Sequence, residues 1–220
     1  MSTLDTYSPQ DWKLVPSEAT QQEDLPCFVS LFETPDESVC EFGDVVLIAD
    51  DGFHPQLKIR CSSCILRSSS KVFRILLGPR FAEGQALRSG TNELTLADDP
   101  RALLLLCQML HRQTQPPHIA LDSNILLDFA LTVDKYDCVQ TLHDSIYVYF
   151  EGVVELNEDS TIRRIRDALI TASFVLDQPK LFRRQTRALV LEETLSIWSP
   201  GDRCRQLLPD GLLGEFDLIS

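Results

Sequence analysis

Cys61 and Cys64 form a C-x-x-C pair, and Cys107 and His111 stand four residues apart, so four ligands of the kind that hold tetrahedral zinc are present. The second pair lacks the spacing of a finger or ribbon. Cys64 also lies on an apolar helical stripe and Cys107 among leucines, where a free cysteine behaves as a small hydrophobe. A redox role for the C-x-x-C pair calls for a thioredoxin-like βαβ unit, which the surrounding pattern does not supply. The four histidines (His54, His111, His118 and His143) share no motif with a nucleophile, and G-x-S-x-G does not occur. Neither G-x-x-x-x-G-K-[ST] nor G-x-G-x-x-G occurs, and nine glycines serve the whole chain, so no phosphate cradle is expected. The paired acids Asp50-Asp51 and Asp98-Asp99 sit where a turn and a helix cap call for carboxylates. These residues lead us to expect no catalytic site, no metal and no cofactor.

The chain of 220 residues has a mass of 24.9 kDa, enough to bury roughly 70% of its unfolded surface without a disulfide or metal. With 44% hydrophobic and 24% charged residues it has the balance of a soluble globular protein. No run approaches the roughly 20 apolar residues that span a bilayer, and Met1 to Gln10 lack the basic start and apolar core of a secretory signal. Seven cysteines at irregular spacing read as reduced thiols, which predicts an intracellular protein of the cytoplasm or nucleus.

The net charge of −13 is concentrated at one end: residues 1–52 hold twelve acids against Lys13, leaving only −2 for residues 53–220. Within 163–187 the sign reverses, with seven bases facing Asp167 and Asp177. The acidic arm and the basic helical region could attract each other, serve different partners, or be two solvated faces. An acidic chain without a basic stripe is not expected to bind nucleic acid.

These residues must be positioned by a small number of elements. Residues 1–40, with four prolines and many acids, read as a largely disordered arm whose apolar island is Leu25–Phe32, with a short helix at Phe28–Phe32. Val45–Ile48 followed by Asp50-Asp51-Gly52, then alternating Gln56–Arg60, predicts a hairpin. A helix follows, with Ser62 or Ser63 as N-cap, and Gly78-Pro79 stops it. A polar loop carries Phe81-Ala82-Glu83-Gly84, then come a strand at Glu93–Leu96 and a helix opened by Asp98-Asp99-Pro100. Beyond a break at Gln113–Pro117, helices are predicted over 124–136, 139–150, about 162–176 and 180–198. The order predicts an α+β domain at 41–150, a helical extension at 151–198 and a tail at 199–220.

Taken in order, Gly43–Ile48, Leu57–Ile59, Cys64–Leu66, Ser70–Phe73, Phe81–Gly84, Leu94–Leu96, Asp98–Pro100, and Ala130 with Asp134–Cys138 resemble the BTB/POZ domain in the form common among fungal BTB-domain proteins. The resemblance covers about residues 41–150. It implies a sheet of three or more strands capped by helical hairpins, no catalysis, and a role in protein–protein assembly. Many members of that family homodimerise, and a subset are substrate adaptors for cullin-type ubiquitin ligases. That subset tends to carry a hydrophobic-x-Glu element before the third strand, where Phe81, Ala82 and Glu83 stand here. Asp44 matches the aspartate that lies near the subunit interface of dimeric relatives.

The chain departs from the family at its start. Dimeric members have a long amphipathic helix before the first strand, and here only Leu25–Phe32, boxed in by Pro26 and Pro35, could take that part. Phe28, Leu31 and Phe32 are the candidate dimer residues in that island. The expected partners are therefore proteins, either a cullin or a second copy, with no membrane. A self-associating or transcription-associated scaffold is the alternative to a ligase adaptor.

Overall fold

The computed structural model describes residues 36–113, 122–192 and 200–210. The arm's island, with Phe28, Leu31 and Phe32, lies outside them. So does the segment that was predicted as the end of the 180–198 helix.

Four strands form one open sheet: β1 (Asp36–Ser38), β2 (Val45–Ala49), β3 (Leu57–Cys61) and β4 (Glu93–Leu96), in the order β1-β3-β2-β4. The predicted hairpin is present, with β2 and β3 antiparallel and Leu47 opposite Ile59. Central β2 is almost wholly buried, as its unbroken β-branched run demands. β3 buries Leu57, Ile59 and Cys61 alternately. The turn between them is fixed by Asp carboxylates: Gly52 N donates to Asp50 Oδ1, and Phe53 N and His54 N donate to Asp51 Oδ1. Gly52 has φ +77, which only glycine adopts freely. β4 lies parallel to β2, with Leu94 opposite Leu47. Asp36–Ser38, read from sequence as part of the arm, instead adds a fourth strand parallel to β3. Three residues with two acids carry no strand signal of their own, and the edge of β3 supplies it.

The predicted helix after the hairpin is two: α1 (Ser63–Ser69) and α2 (Lys71–Leu76). Ser70 separates them in an extended conformation, its Oγ accepting from Phe73 N and donating to Tyr136 O. Phe81–Gly84 are not a loop, because α3 (Ala82–Arg88) begins there. The rest is helical: α4 (Pro100–Leu110), α5 (Ser123–Lys135), α6 (Val139–Leu156), α7 (Asp159–Val175), α8 (Pro179–Glu192) and α9 (Asp202–Leu207). Asp99 caps α4 through Arg101 N and Ala102 N, with Pro100 in the first turn as the sequence predicts. The arrangement is of α+β class.

One apolar core joins the buried face of the sheet, the leucines of α4, and α5, α6 and α7. α6 continues unbroken past residue 150, and Val153 enters that core. Ile162, Ile165, Leu169 and Ala172 of α7 enter it as well. A smaller cluster ties Ile170, Leu189 and Leu208 together.

Candidate partner-binding site

Tight packing of its loop against a glycine sets α3 in place. Gly78 and Pro79 end the apolar stripe of α2, and a Cβ at Gly84 would overlap the Gly78 carbonyl oxygen, so only glycine permits this approach. Phe81 N donates to Gly78 O and Gln85 Nε2 to Pro79 O, which pin the first turn. The result presents Phe81 with 46% of its surface exposed at the head of α3. Ala82 is exposed and Glu83 half-buried beside it. The three predicted residues thus stand together at the N-cap and first turn of one short helix.

Behind α3 lies a cleft of about 450 Å3 lined by Asp44, Ser63, Arg67, Leu77, Leu87 and Arg88, among others. Asp44 serves the fold there. Its Oδ1 accepts from Ser63 N and its Oδ2 from Ser63 Oγ, both at 2.6 Å, tying the start of β2 to the start of α1. Partial burial works against the charge, but the Ser63 hydrogen bonds outweigh it and hold Asp44 below the usual carboxylate range.

The zinc-type residues are engaged otherwise. His111 Nε2 accepts from Ser62 N at 3.0 Å, and its Nδ1 lies 2.8 Å from Cys107 O, so both ring nitrogens bind backbone and the ring is neutral. Burial lowers its pKa accordingly. A hydrogen bond with Cys61, together with burial, pushes the Cys107 thiol well above its ordinary range, and Cys64 is exposed on α1. These four do not form a ligand set.

Among the described residues a different group, Asp51, His54 and Asp99, brings ligand atoms within 4.8 Å of one another. His54 Nδ1 is 2.8 Å from Asp51 Oδ2 and 3.5 Å from Asp99 Oδ2, and Arg101 Nη2 is 3.1 Å from the same Asp99 oxygen. Burial opposes ionisation of Asp51, yet hydrogen bonds from His54 and Phe53 bring it down to about 2. In this cluster the Arg101 guanidinium pairs with Asp99, and the Asp51 carboxylate is taken up by the His54 ring and the turn amides.

Within the otherwise exposed Asp134–Cys138 segment, Tyr136 and Cys138 are buried. Tyr136 stacks on Phe73 at 4.3 Å, its hydroxyl donates to Asp98 Oδ2 at 2.6 Å, and Lys135 Nζ donates to Asp98 Oδ1 at 2.7 Å. Burial first, then the Asp98 carboxylate, raises the Tyr136 pKa, so the hydroxyl stays a donor.

Two aromatics that sequence reading passed over stand almost fully in solvent: Phe42 at 88% and Phe53 at 92% exposure. Their signal was available, since each is a large apolar residue next to a turn glycine, Gly43 and Gly52. Compared with models of known protein families and with curated proteins, the chain matches none.

Proposed function

We propose that this chain is a non-enzymatic protein-interaction module of BTB/POZ type, whose partner surface is the head of α3. The observation that carries the reading is Phe81, an exposed aromatic on an element that Gly84 locks against Gly78. An aromatic of this kind fills a pocket on a partner, and the adjacent Glu83 carboxylate fixes register, which is how interface hot spots act. A small sheet covered by helices supports the family resemblance at the level of architecture. A cullin N-terminal domain is the partner that the hydrophobic-x-Glu element suggests. In a pull-down followed by titration, Phe81→Ala with Glu83→Ala is expected to weaken such binding by roughly 10-fold or more. Unchanged binding would remove the site.

The second reading, a self-associating scaffold, draws on Phe42, exposed two residues before Asp44 at the start of β2. It expects a solution mass near twice 24.9 kDa by light scattering, returning to 24.9 kDa in Phe42→Ser.

A further inference from the structure

The outer face of α8 is basic at one end and apolar at the other. Arg183 and Arg187 stand one turn apart in solvent, and Val190 and Leu191 continue the same face, exposed at 49% and 67%. With Thr186 these side chains line a recess of about 310 Å3. The neighbouring cations are spoken for: Arg184 pairs with Glu151, and Lys180 lies over the Tyr147 ring. Among the described residues, Arg183 and Arg187 form no ion pair.

A ligand for this face must be acidic and apolar at once. The chain carries one. Residues 1–35 hold six acids (Asp5, Asp11, Glu18, Glu23, Asp24 and Glu33) against Lys13, a balance of −5. Acids flank both of its apolar stretches, Trp12–Val15 and Leu25–Phe32. Thirty-five residues reach on the order of 100 Å when extended, so length does not keep the arm from α8. Being part of the same chain also raises its effective concentration at this face relative to a free segment of the same chemistry.

We propose that the acidic N-terminal arm, residues 1–35, docks on the Arg183–Leu191 face of α8 within the same chain. This surface is separate from Phe81 and Glu83.

Hydrogen exchange on the full chain, read by mass spectrometry at low salt, tests this. Amides within residues 1–35 should exchange roughly 10-fold or more slowly than the same segment as a free peptide. The protection should not depend on protein concentration. It should fall away at about 0.5 M salt, where charge interactions are screened within a few ångströms. Arg183→Glu with Arg187→Glu should abolish it, and so should changing Asp11, Glu18, Glu23, Asp24 and Glu33 to Lys. Combining the two sets should restore it. Unchanged exchange across α5 checks folding, and the arm-reversed chain leaves α8 itself intact. Absence of protection, protection indifferent to both charge reversals, or protection that rises with protein concentration would each overturn the proposal, the last by assigning the face to a second copy.

Discussion

Tyr136 shows how one side chain serves three distant parts of the chain. Its ring stacks on Phe73, its hydroxyl meets Asp98 before α4, and its carbonyl accepts from Ser70 between α1 and α2. Asp98 is only 7% exposed, so removing a donor leaves a nearly buried carboxylate short of a partner. Tyr136→Phe is therefore expected to cost about 1–3 kcal/mol in urea unfolding, although the ring is kept. His111 makes a second test at this scale. Burial depresses its folded pKa below the unfolded value, so its contribution is complete above about pH 6.5 and is lost as pH falls through the folded value. The urea midpoint of the native protein should drop as pH falls below about 6.5. His111→Gln should flatten that drop. The sequence displayed Tyr136 and His111 but not their partners, because Asp98 and Ser62 lie 38 and 49 residues away in the chain.

Elements set by local pattern were legible, and elements set by a distant contact were not. The β2–β3 hairpin, β4 and the start of α4 follow from alternation, turn residues and the Asp99-Pro100 cap. The break at Ser70 depends on the Tyr136 carbonyl at the cap of α5, and β1 exists because β3 offers an open edge. The head of α3 was read as a loop because no side-chain cap announces it and Phe81 occupies the N-cap position. Phe81, Ala82 and Glu83 themselves were legible as candidates, whereas their placement depends on a glycine–glycine contact that no pattern of types reveals. Helix ends carry a further prediction. Asp177 follows α7 at φ +49, and Gln178 N closes the end on Ser173 O. Asp177→Val should cost about 1 kcal/mol or more by thermal unfolding, since a β-branched residue resists the left-handed region, while Asp177→Gly should be neutral or stabilising.

At the scale of the molecule, the sheet-bearing part and the later helices share one core. Ile162, Ile165, Leu169 and Leu176 are each at most 6% exposed and belong to the same cluster as Leu47 and Phe129. Four such side chains contribute on the order of 6–12 kcal/mol by burial, comparable with the roughly 5–15 kcal/mol that holds a whole domain folded. A chain ending at residue 157 should therefore fail to give a soluble, cooperatively unfolding product, as circular dichroism and a urea titration would show. A well-folded product from that truncated chain would mean that α5 covers its exposed face in another way. The contact of Gly84 with Gly78 bears on time as well as on place. No side chain lies between the two backbones, so no rotamer change there can shift α3 toward a partner. Variants of Phe81 and Glu83 should accordingly alter how long a complex lasts far more than how fast it forms.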